Sequence, residues 1–592
     1  MQVKKREEIN DNLKWKLEDI YSSDDLFKLD MAKAEEIAEE LKTYQGKLNN
    51  RENILAVYKL YDRLTFINGK LYAYAHMRLD QDCTQTLYKE YKSEVENTIN
   101  RINSSLAFMT PEILENDIEF LKELSNDDEF SNYDYALKKL IKGNDHSLST
   151  KEEVLLADAS KFSELFEEAF SMFDNADVTF DSIKLDNGEE IELSHGIYGY
   201  YMQTGSREER RQAFESMFNA YKRNINVITT LYKGNLVKDW FYAQARCYSS
   251  CLEKALFNED VSIDVYKKLI SNIHDNLYLL HRYMKYRKDT LGYNELHMYD
   301  LHMPLVSGVD KDISYDEAKK VVKEALTPLG EEYQQLLDTA FDSGWIDVCE
   351  NKGKRSGAYS SGCFGVHPYV LLNYKPVLND VFTLAHELGH AMHSYYSNQA
   401  QPISKAEYEI FVAEVASTVN ETLLVKHLLK DATGDYRKYL LSYLANMFRT
   451  TIFRQAQFAE FEEKAHTYVE NDTPITPDLL CDLYYDLNKQ YYGKDVVSDD
   501  LIRYEWARIP HFYSSFYVYK YSTGLISAIC IASDILTKGE EAVKAYKKFL
   551  SAGGSMSPVE ILKLANVDLE SDEPYKKAME FYKNTINDLL ES

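Results

Sequence analysis

Two histidines four residues apart, His386 and His390, lie in the stretch DVFTLAHELGHAMHSYYS (Asp380–Ser397), and Glu387 directly follows the first. On a helix, positions i and i+4 share one face a turn apart. Both imidazoles can then reach one tetrahedral zinc ion at about 2.0–2.1 Å. Glu387 is rotated by about 100° from His386, beside the ion rather than on it. There it can take a proton from a metal-bound water. Gly389 leaves room over the helix, and Leu384, Ala385, Leu388 and Ala391 supply an apolar surround. Two histidines and an acid are costly to bury on such a surface without a partner, and a metal supplies one.

Catalytic zinc usually takes a third protein ligand and keeps a fourth position open. The longer motif, with glycine three places after His390 and histidine three further on, is excluded, because His393 and Tyr396 stand there. The ligand must then be a downstream carboxylate: Glu407, Glu409, Glu414 or Glu421. AEYEIFVAEVASTVNETLLVKHLL (406–429) reads as one helix. Within it Glu414 stands among Ile410, Phe411, Val412, Ala413, Val415 and Ala416, where an uncompensated carboxylate needs a cation. Glu409 sits among polar residues about 140° of helix away, so both cannot face one ion. Glu414 is the expected third ligand. His393 and His367 are taken as structural.

A second span, IPHFYSSFYVYKYSTG (Ile509–Gly524), holds His511, Tyr513, Tyr517, Tyr519 and Tyr521. Amide hydrolysis builds negative charge on the carbonyl oxygen, which an imidazole or phenol donor stabilises. The chain has 47 tyrosines, so most must be structural. A glycine-punctuated loop, GKRSGAYSSG (353–362), could offer backbone hydrogen bonds, with Gly357 and Tyr359, to an extended peptide by strand addition.

FTLAHELGHAMHSYYS followed by FVAEVASTVNETLL resembles oligoendopeptidase F, a bacterial relative of thimet oligopeptidase and neurolysin. KRSGAYSSG, WARIPHFYSSFYVYKYSTG and the early NLKWKLEDIYSSDD are similar to the same family. The resemblance implies His386, His390 and Glu414 as ligands of one zinc per chain and Glu387 as catalytic base. It also implies a C-terminal histidine matching His511, and tyrosines that hold substrate, for which Tyr517 and Tyr521 are the candidates. It implies a zinc endopeptidase that cuts internal bonds of short unstructured peptides inside a deep channel.

The elements that must position these residues are mostly helical. Phe27, Met31, Ala34, Ile37, Ala38 and Leu41 fall on one helix face behind Ser22-Ser23, and amphipathic stretches recur to about residue 170. A second helix begins at Asn379–Asp380. Asp186-Asn187-Gly188 predicts a hairpin within 177–194, and PYVLLNY (368–374) a strand just before the histidine motif. The expected fold is mainly α, a large helical zincin-type peptidase. An N-terminal region, 1–195, closes over a catalytic domain, 196–592, with small β elements near the active site.

Lys+Arg 68 against Asp+Glu 96 gives a net charge of −28, a field that opposes nucleic acid and anionic membrane. No window approaches the roughly 20 apolar residues that span a bilayer, and the N-terminus lacks the apolar core of a secretory signal. Seven cysteines, odd in number and sparse, fit a reducing cytoplasm. Cys247 and Cys251 read as helix-face thiols. Two other function classes remain open to the sequence. A non-enzymatic helical scaffold or peptide-binding protein would use a closed, cysteine-rich zinc site if any. A zinc aminopeptidase would need Glu409 as ligand.

Overall fold

The computed structural model of the chain describes residues 3–306 and 312–592. Long helices carry most of the chain, and the strands among the described residues are pieces of two or three residues. By packing, the chain forms two units, each built from three stretches of sequence.

The first unit comprises Met1–Asp145, Asp310–His427 and Ser527–Val567. Its N-terminal part is a helical bundle of Asp24–Lys42, Arg51–Gln81 and Thr86–Leu106. Phe27, Ala34, Ile37, Ala38 and Leu41 are buried in it, as their 3.6-residue spacing requires. Asp24 and Asp25 fill the first turn, where the helix dipole favours acids, while the predicted capping residue Ser23 makes no side-chain cap bond. The same core takes in Tyr369 and Leu371 from a three-stranded sheet and Cys363 from the connection between two of its strands. In that sheet Tyr369–Leu371 lies centrally, parallel to Ile346–Asp347 and antiparallel to Tyr359–Ser361, with Ser360 opposite Val370. Tyr359–Ser361 is therefore an edge strand.

The second unit comprises His146–Val309, Leu428–Ile526 and Asp568–Ser592. The predicted hairpin is present, Ile183–Lys184 pairing antiparallel with Glu190–Ile191 around Gly188 at φ 87°. No packing boundary falls near residue 195; the change of unit lies between Asp145 and His146. The hairpin is tied forward instead, to helix Arg207–Arg223. Lys184 N donates to Gln212 Oε1 at 2.9 Å, and Ser216 Oγ donates to the Asp181 carbonyl at 2.6 Å. Cys247 departs from its expected place on a helix: it sits in a turn at φ 60°, and only Cys251 is helical. No helix among the described residues is long and apolar enough to cross a membrane.

Candidate metal centre

Two helices of the first unit carry the site. The histidine helix runs Leu378–Ala400, one residue earlier than the sequence predicts. Val377 is its N-cap without a side-chain bond, and Asp380 instead accepts from Lys375 N at 2.7 Å. The second helix runs Ile410–Asp431. The single helix expected from 406 does not form: a short turn, Ile403–Ala406, ends at Glu407, whose φ −78°, ψ 127° are extended. Gly554 N donates to the Lys405 carbonyl at 2.8 Å, and the Tyr408 ring stacks on His393 with centroids 3.7 Å apart. Both contacts are long-range, and no local pattern announces them.

The helices cross at Gly389. A Cβ there would stand 2.5 Å from Ser417 Cα and 2.6 Å from the Ala416 carbonyl oxygen. Asn420, fully buried, joins them further along: its Nδ2 donates to the Ala385 carbonyl at 3.0 Å, while its Oδ1 accepts from Tyr333 Oη at 3.3 Å.

This close crossing assembles three donors. His386 Nε2 and His390 Nε2 are 3.2 Å apart, and Glu414 Oε2 lies 3.4 Å from the first and 3.5 Å from the second. A tetrahedral ion with bonds of 2.0–2.1 Å has ligand–ligand edges of about 3.3–3.4 Å. The triangle therefore has the dimensions of one face of such a coordination sphere, and among the described residues these three form the group able to hold a metal ion.

The surrounding acids complete the electrostatics. Glu421, two turns after Glu414, faces His386 Nδ1 at 2.5 Å. It fixes the ring so that Nε2 points at the other donors, as carboxylates do behind metal-binding histidines. Burial alone would lower the pKa of His386. The hydrogen bond and charge of Glu421, with Glu387 and Glu414 adding, raise it instead to about 9. The cluster thus favours a cation. Burial works against ionising Glu414 too, but His390, His386 and Ser417 hold its carboxyl down at about 2. Glu387 is 7% exposed, and burial raises its pKa against the pull of both histidines. A shift upward from the carboxylate range suits a general base.

The other acids are spoken for. Glu409 pairs with Lys139 at 3.0 Å and lies outside the helix, so the lysine, not the helical angle, keeps it from the donors. Glu407 is exposed at the break. His393 is buried and unpaired at both ring nitrogens, stacked on Tyr408, and His367 bonds Asp19 and the Pro368 carbonyl. The Tyr359 hydroxyl donates to Asp80 at 2.7 Å, so its strand offers backbone rather than phenol. The Gly357 carbonyl accepts from Asn373 Nδ2 at 2.8 Å, with open space around its α-carbon at φ 86°.

His511, Tyr517 and Tyr521 belong to the second unit, which brings them together. Ring centroids are 6.0 Å apart from His511 to either tyrosine and 5.4 Å between the tyrosines, and Tyr521 Oη lies 3.4 Å from His511 Nε2. Phe516, just before Tyr517, takes φ 58°, a strained value for an aromatic residue. Its N–H donates to Glu462 Oε1 at 2.7 Å, and Ser515 Oγ donates to Asp239 at 2.5 Å. Glu462 is fully buried, and burial pushes its pKa up to about 8.

Comparison with known proteins bears on this arrangement. Residues 200–581 match the sequence profile of peptidase family M3, and residues 112–180 that of oligopeptidase F. The chain belongs to peptidase family M3. It is 40% identical over 598 residues to oligopeptidase PepF of Bacillus subtilis, covering 100% of this chain and 88% of that protein. It is 37% identical to an oligoendopeptidase F homolog of Lactococcus lactis, covering 99% and 98%. The crystal structure of oligoendopeptidase F from Enterococcus faecium matches with TM-score 0.75 at 32% identity, covering 96% of this chain and 99% of that one. A Chlamydophila abortus structure described as a peptidase matches with TM-score 0.93 at 34% identity over 99% of both chains. As an M3 member the chain is a peptidase of mainly α fold, as its sequence led one to expect.

The roles of Glu421, Asn420 and Glu462 are not evident from sequence. Glu421 follows Glu414 by seven residues, two helical turns, and so shares its face; that spacing was the available signal.

Proposed function

We propose that the chain is a zinc-dependent oligoendopeptidase, with one zinc held by His386, His390 and Glu414, that cuts internal bonds of short unstructured peptides in the cytoplasm. The observation that carries this is the triangle of donors, 3.2, 3.4 and 3.5 Å on its sides, with Glu387 beside it. Zinc, when bound, supplies Lewis acidity toward a carbonyl and lowers the pKa of water. Glu387 accepts the proton of the attacking water at its carboxylate and delivers it to the leaving amine. Its burial supports this role, since holding its pKa above the ordinary carboxylate range makes it a better proton acceptor. His511, with Tyr517 or Tyr521, donates a hydrogen bond to the carbonyl oxygen as charge develops there. The free edge of Tyr359–Ser361, with the turn at Gly357, takes the extended peptide backbone.

The relatives named oligopeptidase and oligoendopeptidase support the substrate class. A folded protein would have to unfold locally first, at up to its global stability of roughly 5–15 kcal/mol. The test offers an oligopeptide blocked at both ends alongside a reduced, unfolded casein-like protein, with products read by mass spectrometry and metal content by elemental analysis. Internal cleavage of the blocked peptide by a protein holding about one zinc is expected. A strict need for a free amino terminus, or faster cleavage of the long chain, refutes the proposal.

A further inference from the structure

In the second unit the candidate oxyanion donors come from two short-range neighbours in sequence that a bend must bring together. His511 belongs to the turn Pro510–Tyr513, and Tyr521 to the helix Tyr519–Lys538. Their meeting, with Tyr521 Oη 3.4 Å from His511 Nε2, depends on the direction the chain takes between them. That direction is set at Phe516, whose φ of 58° is left-handed. A side chain larger than hydrogen keeps such a value only where its surroundings over-determine it. Relaxation to an ordinary negative φ would turn Tyr517 and Tyr521 away from His511.

Two helices of the same unit supply the constraint, each through a pair of polar residues one turn apart. From Ile225–Ala245, Asn235 Nδ2 donates to the Phe512 carbonyl at 3.2 Å and to Ser515 Oγ at 3.3 Å, while its Oδ1 accepts from Lys238 Nζ at 2.6 Å. Asp239 accepts from Ser515 Oγ at 2.5 Å. The serine hydroxyl thus accepts once and donates once, which fixes its direction. From Arg454–Glu470, Glu462 Oε1 accepts from Phe516 N at 2.7 Å, and the His466 ring packs on the Phe516 ring with centroids 4.6 Å apart. His466, 1% exposed, ties the two helices together: Nδ1 faces the Glu462 carbonyl at 2.8 Å and Nε2 faces Asp239 Oδ2 at 3.2 Å. Both partners only accept, so both ring nitrogens carry protons and the ring is a buried cation with Asp239 as its counter-ion. Burial alone would lower the pKa of His466, but the bond and charge of Asp239 raise it. A buried ion pair adds little net stability; what this one supplies is a fixed direction for the chain.

We propose that Asn235, Asp239, Glu462 and His466 are positioning residues, which clamp Ser515 and Phe516 so that His511, Tyr517 and Tyr521 stay aimed as one group, a role that rests on the donor function given to that group above. None of the four is a donor to the substrate. Charge develops on the carbonyl oxygen only as the reaction proceeds, so lost aim falls on kcat. The zinc donors and the edge strand Tyr359–Ser361 belong to the first unit and share no residue with the clamp. Zinc content and KM therefore do not depend on it.

Ser515→Ala and Asp239→Asn test the clamp in the full chain, with the end-blocked oligopeptide as substrate and rates taken well below each Tm. Ser515 is part-exposed, so its variant should fold. Each change should lower kcat at least tenfold, toward the roughly 10²-fold that a 1 Å misplacement costs, with KM within about threefold of wild type and zinc content unchanged. Both changes break one bond, so the double variant should fall no more than about threefold below the slower single one, whereas separate structural damage would multiply. Wild-type kcat in either folded single variant, a rise in KM in place of a fall in kcat, or multiplied losses in the double variant overturns the positioning role. A triple variant, His511→Ala with Tyr517→Phe and Tyr521→Phe, separates this from the donor function. If it keeps full kcat, the donors are misassigned and the positioning role falls with them; if it is slowed while Ser515→Ala is not, the clamp alone is refuted.

Discussion

Gly389→Ala sets two effects of opposite sign against each other. Glycine inside a helix costs about 1 kcal/mol relative to alanine, so at a free position the change would stabilise. Here the new Cβ meets backbone: Ser417 Cα at 2.5 Å, the Ala416 oxygen at 2.6 Å and Ser417 N at 2.7 Å. Ordinary contact begins near 3.4 Å, so the helices must part by about 3.4 − 2.5 = 0.9 Å at the crossing. Overpacking of this kind costs about 1–3 kcal/mol, which exceeds the gain in propensity. The larger consequence falls on the donors. Glu414 precedes Ser417 by one turn and moves with it, while metal–ligand distances tolerate only about ±0.2 Å. Metal affinity should fall at least 100-fold, about 2.7 kcal/mol, equivalent to losing a ligand rather than a supporting contact. Competition with a chromophoric zinc chelator measures this directly, with Tm recorded alongside. Wild-type affinity within threefold in a folded Gly389→Ala protein would show that the close crossing does not set the donor triangle.

Glu387→Gln should keep metal but lose more than tenfold in kcat, measured with zinc content on the same sample, since the donors survive and the base does not. Glu414→Ala should lose metal on dialysis while Glu409→Ala, already held by Lys139, retains it; the reverse stoichiometry would exchange their roles. Glu421→Gln should weaken metal binding by about 10–100-fold, read by chelator competition, because His386 loses the acid that orients it. Glu462, raised to about 8 by burial, binds a proton when folded that the unfolded chain releases near 4.5. Its contribution to stability is therefore present below about 4.5 and lost as pH rises through 8. Glu462→Gln, whose amide oxygen still accepts from Phe516 N, should show a higher Tm than wild type at pH 9 and no such gain at pH 5.

The sequence by itself determined the class of fold and named the candidate residues of the site. The 3.6-residue spacing of Phe27, Ala34, Ile37, Ala38 and Leu41 dictates a buried helix face, and i, i+4 spacing puts His386 and His390 a turn apart. Hydrophobic pattern and helical angle are local properties. The apolar run around Glu414 marked an acid in need of a cation, again from neighbours in sequence. Tertiary structure decided what distant residues do to one another. The break at Glu407 depends on Gly554 and on a tyrosine stacked against His393. Glu409 is removed by Lys139, 270 residues away. The 195 division is crossed by hairpin-to-helix bonds that no turn signal encodes. Glu421 becomes a partner of His386 only because Gly389 admits the second helix to backbone contact. Periodicity says which face of a helix is buried; how closely two helices approach is set by the atoms at their crossing, and on that distance the donor triangle depends.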